Sequence, residues 1–366
     1  MKKVLIFTYL QRHLKKMLPI IQELEKNENV SLTLLLMTEE ERHIAENNSV
    51  KYQMLDDYTD KKRNYELDFG WGLEPLLNAI DRIAPDLFCA IEVNYILRNA
   101  VRYCKQIGVK TVIIQHGTPN INSLHAFLPF EGNFFLAWGG FTRDFLVQHG
   151  MNDNRVILTG GIPFDRTLSL VPDREAIASE LGIDADKKWI VFTTQGVGSG
   201  NRPSPEEIFI GVSEVAKALL HNDEIELIYQ VHPSQEISYI NRIVEGVPGT
   251  SAKVCRYHDT EELMKASHGV ITFFSTTAID AVLLKKPLIL INLSSEDDYL
   301  PFVKMGVAAG AYSSDEIHQC VQSIISDFYP DENKLDTAAM YMNYMNDGNA
   351  FSRVMDVIYK ILYSGE

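Results

Sequence analysis

Val270-Ile271-Thr272-Phe273-Phe274-Ser275-Thr276-Thr277-Ala278-Ile279-Asp280-Ala281-Val282-Leu283-Leu284 reads as a buried strand, a hydroxyl-rich turn and an apolar helix. The strand has no polar face to leave in water, which is the mark of a parallel strand covered by helices on both sides. Outward from this stretch the same β-α alternation runs the length of the chain. Apolar runs predict strands over 3–8, 31–37, 86–93, 110–115, 134–138 and 156–158. Leu18, Ile21 and Leu24, then Leu73, Leu76, Leu77, Ile80 and Ile83, recur between them at helical spacing. A second series predicts strands over 189–194, 226–231, 253–255, 270–274 and 288–292, and the polar stretch 167–188 with Pro172 reads as the boundary. The expectation is an α/β protein of two doubly wound, Rossmann-like domains, 1–166 and 167–345, facing each other across a cleft. Residues 346–366 form a last helix that packs back on the first domain. In such sheets ligands bind beyond the carboxyl ends of the strands, so the chemistry is sought there.

Composition narrows the choice of function. The 366 residues are 46% hydrophobic and 23% charged, as in ordinary globular proteins. Against 34 basic residues stand 49 acidic ones, a net charge of −15 that gives no general pull toward nucleic acid or an anionic membrane. Cys89, Cys104, Cys255 and Cys320 form no Cys-x-x-Cys pair, which argues against a zinc site or a disulfide scaffold and for a reducing, cytoplasmic setting. The first eight residues read as a strand and not as a signal peptide. No apolar run reaches the roughly 18–20 residues of a membrane span, so membrane contact is expected to be at most peripheral, at the inner face.

Four strand ends carry candidate chemistry. Ser275, Thr276 and Thr277 precede a helix whose free N–H groups favour an anion, although Ser and Thr are also plain N-caps. His232-Pro233 ends the strand one βα unit earlier, and Gln195-Gly196-Val197-Gly198 follows the strand 189–194, with glycines that permit close backbone approach. Together these read as a diphosphate cradle. In the first domain Gln115-His116-Gly117 places an imidazole where it can act as general base on a hydroxyl. Arg12 and His13 are candidates for acceptor binding, with Lys15 and Lys16 beside them read as a solvated helix start. Glu92 and Asp280 are candidates for a secondary acid/base role, each equally well structural. The loops 54–71 and 120–132, with Tyr58, Trp71 and Phe127, could stack on a sugar ring or cover the core. The acidic pairs Asp56-Asp57 and Asp297-Asp298 lack further ligands, so neither a metal nor a cofactor is expected.

Taken in order, several of these segments resemble motifs of the CDP-glycerol glycerophosphotransferases and related surface-polysaccharide transferases of the GT-B fold, including sialyl- and Kdo-type enzymes. They are His116-Gly117-Thr118-Pro119, Thr159-Gly160-Gly161-Ile162-Pro163-Phe164-Asp165, His232-Pro233, Ser275-Thr276 and Asp347-Gly348-Asn349-Ala350-Phe351-Ser352. The resemblance implies His116 as catalytic base and His232-Pro233 with the hydroxyl pair as donor site. The reaction implied is inverting, metal-independent transfer of a sugar or polyol phosphate from a nucleotide-activated donor to a hydroxyl of a glycan or lipid-linked acceptor. Gln230 stands where that family commonly has Arg or Lys, and Phe273-Phe274 where it has Asp-Tyr. The leaving nucleotide therefore stays open, with CMP or CDP ahead of UDP. Two alternatives stay open too. One is an enzyme like UDP-N-acetylglucosamine 2-epimerase, in which Gly-Thr-Arg-Pro-Glu stands where this chain has Phe7-Thr8-Tyr9-Leu10-Gln11. The other is a non-catalytic nucleotide-binding protein.

Overall fold

The computed structural model describes residues 1–60, 72–91, 94–197, 203–273, 275–294, 296–326 and 330–364. Trp71, Glu92, Gly198 and Phe274, singled out above, lie outside the described residues. The chain divides into two compact units, Met1–Asp165 with Asn343–Glu366, and Arg166–Met342.

The first unit is built on β1 (Lys2–Thr8), β2 (Val30–Leu36), β3 (Gln53–Met54), β4 (Leu87–Ala90), β5 (Lys110–Ile114), β6 (Phe134–Ala137) and β7 (Val156–Leu158). Its helices are α1 (Gln11–Glu25), α2 (Glu39–Asn47), α3 (Leu73–Ile83), α4 (Tyr95–Gln106), α5 (Gly140–Gln148) and α6 (Ile162–Ser169), the last of which runs into the second unit. The strands lie in the order β3-β2-β1-β4-β5-β6-β7, and every pairing is parallel. The second unit carries β8 (Lys188–Thr193), β9 (Ile225–Gln230), β10 (Lys253–Cys255), β11 (Gly269–Thr272), β12 (Leu288–Ile291) and β13 (Ala309–Ala311). Among them run α7 (Arg174–Leu181), α8 (Pro205–Ala218), α9 (Ile237–Glu245), α10 (Thr260–Ala266), α11 (Thr277–Leu283), α12 (Ser314–Ile325) and α13 (Glu332–Met342). Their sheet is again all parallel, in the order β10-β9-β8-β11-β12-β13. The chain closes with α14 (Ala350–Tyr363), which belongs to the first unit.

Both orders reverse direction after the first strand laid down, so each unit has a switch point, β1/β4 in one and β8/β11 in the other, where neighbouring connections diverge and leave a crevice. The alternation of side chains along β1 divides the core of the first unit. Val4 and Ile6 pack with Leu14, Met17 and Ile20 of α1 and Ile358 of α14, whereas Leu5 and Phe7 pack with Ile80 of α3 and Leu97 of α4. Leu14, Met17, Ile20, Ile21 and Leu24 are each fully buried, roughly 1.5–3 kcal/mol apiece, and they fix the rotation of α1 about its axis.

Two strands escaped the sequence reading: β3 has two residues, and β13 is Ala309-Gly310-Ala311, with no apolar run. The stretch 167–188, read as a polar boundary, holds the end of α6 and all of α7. Arg174 fastens it, donating to the carbonyls of Ala185, Lys187 and Ala266 while its guanidinium lies 3.8 Å over the Trp189 ring.

Candidate active site

In the second unit, β8 and β9 end side by side, and hydroxyls and amides lock their turns together. Thr194 Oγ1 accepts from the His232 backbone N–H at 3.1 Å and donates to Gln235 Oε1 at 2.5 Å. His232 Nδ1 accepts from the backbone N–H of Ser234 at 3.1 Å and lies 2.8 Å from Ser234 Oγ. A backbone amide can only donate, so Nδ1 carries a lone pair and the proton of the neutral ring sits on Nε2. Gly196 lies against this turn: a Cβ there would meet Ser234 Oγ at 2.3 Å and His232 Nδ1 at 3.4 Å. The Gln195 side-chain oxygen beside it is buried with no partner among the described residues. Gln195-Gly196 and His232, far apart in the chain, are thus neighbours at one sheet edge.

The hydroxyl turn after β11 behaves differently at each residue. Thr276 is exposed. Ser275 Oγ accepts from the Thr277 N–H at 3.4 Å, and Thr277 Oγ1 lies 3.1 Å from Thr193 Oγ1 and 3.4 Å from Thr272 Oγ1. Thr277, read as a donor contact, therefore knits α11 to β8 and β11. Asp280 is buried and accepts from Thr167 at 3.4 Å. Gln230, where a cation was looked for, is 5% exposed and bonds to both the N–H and the carbonyl of Tyr257.

In the first unit the buried Gln115 sets the turn that carries His116. Its amide donates to Gly117 O at 3.0 Å and Thr142 Oγ1 at 2.9 Å and accepts from the Trp138 N–H at 2.6 Å. His116 is half-buried beside a cavity of about 130 Å³ lined chiefly by Ile91, Ile113, Phe127 and Phe135, with Thr118 and Ser123 its polar members. The Thr118 hydroxyl is buried with no partner among the described residues. Two residues of α1 meet the imidazole. The His13 ring stands edge-on to it at 4.7 Å, and Lys16 Nζ lies 3.2 Å from His116 Nδ1 and donates to the His116 carbonyl at 3.0 Å.

This corrects the reading of α1. His13 is fully buried between His116 and Tyr9, because it lies on the same helix face as Met17 and Ile20, so it braces His116 and presents no surface to an acceptor. Arg12 lies on the exposed face. Lys16 was read as solvated and instead touches the candidate base. Its place in the second turn of α1, on the buried edge of an amphipathic helix, was the signal available in the sequence.

Residues 141–360 match the family model of the CDP-glycerol:poly(glycerophosphate) glycerophosphotransferases. The chain belongs to that family. It is a transferase that uses a nucleotide-activated donor, built as two Rossmann-like units of the GT-B class. The matched residues hold His232, Ser275 and the start of α14, while Lys16 and His116 precede them. No curated protein matches the chain. Among solved structures, MnaA of S. aureus with UDP is 17% identical with a TM-score of 0.68, over 99% of this chain and 97% of that one. A putative UDP-N-acetylglucosamine 2-epimerase from Listeria monocytogenes is 15% identical with a TM-score of 0.70, over 100% and 98%. MurG of Acinetobacter baumannii is 11% identical with a TM-score of 0.63, over 98% and 100%.

Two further motifs of this glycerophosphotransferase family member meet within the first unit. The Asp165 carboxylate accepts from the N–H groups of Ala350 and Phe351 at 2.9 and 2.8 Å, supplying the N-terminal cap of α14 from 185 residues away. Gly160, at φ +82°, leaves no room for a side chain, since a Cβ would stand 2.8 Å from that of Ala350. Arg353 closes the joint, donating to Thr159 O at 2.8 Å and pairing with Asp347. These motifs hold the chain's end to its first unit. Among the described residues no helix is long and apolar enough to cross a membrane, and no three His, Cys, Asp or Glu side chains gather as a metal site.

Proposed function

We propose that this transferase moves a sugar or polyol phosphate from a CMP- or CDP-activated donor to a hydroxyl of a surface-glycan or lipid-linked acceptor, with inversion and without a metal ion. The observation that carries the reading is the tautomer of His232. With Nδ1 held by the Ser234 amide, the ring offers Nε2–H as a fixed hydrogen-bond donor for a phosphate oxygen. Pro233 stops the strand at that point, Gly196 lets the β8 turn approach, and the Gln195 carbonyl is an acceptor for a ribose or base group. Ser275 and Thr276 lie at the start of α11 and would contact the donor phosphates. His116, as general base, would take the proton of the attacking hydroxyl; His232 would donate to the leaving phosphate, which keeps the electron pair of the broken bond. Arg12, exposed on α1, is the remaining acceptor contact. Charge on the leaving group is met by neutral donors that need no reorganisation, which supports a reaction independent of magnesium.

The test is thermal unfolding with CMP, CDP, UMP, UDP and GDP, each with EDTA and then with magnesium, since a ligand bound only by the native state raises its stability. A cytidine-selective rise in EDTA is expected, and its loss in His232→Ala. The second reading, a UDP-sugar 2-epimerase, draws on the full-length likeness to MnaA with UDP and to epimerases. UDP-selective stabilisation together with conversion of a UDP-sugar in the absence of any acceptor would decide for it.

A further inference from the structure

The groups placed at the donor, His232, Gln195, Gly196, Ser275 and Thr276, include no permanent cation. A cation does stand at the same sheet edge, on the next strand out. β10 lies beside β9 with Cys255 opposite Gln230, and the residue that leaves the strand is Arg256. Gln230 fixes that turn. Its side-chain amide accepts from the Tyr257 N–H at 2.9 Å, donates to the Tyr257 carbonyl at 2.8 Å and to Thr260 Oγ1 at 3.1 Å, and lies 3.5 Å from Cys255 Sγ. The buried amide that stands where a cation was looked for thus holds the chain on both sides of Arg256.

The Arg256 side chain is exposed, and its Nη2 donates to the carbonyl of Gln235, whose own N–H donates to the His232 carbonyl at 2.9 Å. This one contact ties the guanidinium to the turn that carries His232, and four of its five N–H groups make no bond among the described residues. No carboxylate among the described residues pairs with it. Asp259 is taken by Arg166, Glu262 by the Tyr257 hydroxyl, and Glu180 lies 3.8 Å from His258 Nδ1.

We infer that Arg256 reads the nucleobase of the donor, donating as a fork to O2 and N3 of cytosine. The inference rests on the reading of a cytidine donor held at this edge, and the strand order carries it. Ser275, where the phosphates are placed, follows β11, and Arg256 follows β10, three strand spacings or about 14 Å away, with His232 after β9 and Gln195 after β8 between them. A nucleotide laid from phosphate to base across these strand ends puts its base on the β10 side. There the two pyrimidines differ. Cytosine presents adjacent acceptors, O2 and the N3 lone pair, which match two parallel N–H groups of a guanidinium. Uracil carries a proton on N3, so one arm of the fork meets a donor and that hydrogen bond is lost.

The test is calorimetric titration of the full chain with CMP, CDP, UMP and UDP in EDTA. Arg256→Lys keeps the charge and loses the fork, whereas Arg256→Met loses both. The wild type should bind the cytidine nucleotides about tenfold or more tighter than their uridine counterparts. In both variants CDP affinity should fall about 10–100-fold, the value of hydrogen bonds to a charged group, and UDP affinity much less, so that the selectivity disappears. Thermal unfolding without nucleotide checks that both variants fold. Equal losses for CDP and UDP in Arg256→Met, with none in Arg256→Lys, would make Arg256 a phosphate contact and overturn the inference. A wild type that prefers UDP would overturn the cytidine donor itself. A preference for cytidine that survives Arg256→Met would leave that donor standing and overturn only the role of Arg256.

Discussion

His116 and His232 each follow a parallel strand, each is half-buried, and each has its Nδ1 within hydrogen-bond reach of a nitrogen. What holds that nitrogen differs. At His232 it is a backbone amide two residues on, a donor that no pH change removes, so the ring is a permanent Nε2–H donor. At His116 it is the side chain of a residue 100 positions away, Lys16, which also donates to the His116 carbonyl. A short-range backbone contact builds a fixed electrostatic element, suited to holding phosphate. The long-range side-chain contact instead ties the imidazole to a second element, α1. The surroundings follow the same division: His232 sits with Gly196 and the buried Gln195 carbonyl, polar groups suited to a nucleotide, while His116 borders an apolar cavity that Thr118 and Ser123 also line.

The comparison can be broken most directly at His116. Replacing it with Asn should lower turnover about 10²–10⁴-fold with nucleotide affinity unchanged. Replacing His232 with Ala should do the opposite, weakening nucleotide binding roughly ten- to a hundredfold, the value of a hydrogen bond to a charged group. Binding by calorimetry and single-turnover rates separate the two, and equal effects on both readouts in both variants would erase the distinction. Gly196→Ala sharpens it: the new methyl must displace Ser234 Oγ and crowd the turn beside His232, and nucleotide affinity should fall while the His116 NMR signals stay in place.

A smaller effect is expected where the contrast is one of architecture. Asp165→Ala removes the cap of α14 from the first unit and should cost about 1–2 kcal/mol of its stability in chemical unfolding, leaving nucleotide affinity in the second unit unaltered. The smallest effect belongs to Lys286 of the second unit, which burial and then the charges of Arg174 and Lys265 push down to about 8. Its folded value lies below its unfolded one, so the unfolded chain binds more protons between pH 8 and 10.5, and stability should rise with pH across that window. Lys286→Met should abolish that rise and add about 1 kcal/mol at pH 7, net of the bond it loses to Ser267 O. The first unit carries the converse case: Glu41, raised by burial, makes its stability fall as pH climbs through the carboxylate range.

Much of this was legible in the residues. Apolar runs alternating with 3.6-residue periodicity are set by burial on both faces of a parallel sheet, and they located eleven of the strands and the ends where His116, His232 and Ser275 stand. The short strands β3 and β13 have no such signal, because pairing at a sheet edge needs only two or three extended residues. Periodicity also carried more than was taken from it, since the phase that buries Leu14 and Met17 buries His13 as well.

What the sequence determined by itself, then, was the class of fold and the residue types at the strand ends, because both follow from local hydrophobic pattern and from where a strand must stop. The tertiary structure decided which of those residues meet: that Thr277 faces the sheet, that Asp165 caps a helix 185 residues on, and that Lys16 reaches Nδ1 of His116. Hydrogen-bond partners far apart in the chain are set by packing geometry, which no local pattern of residues encodes.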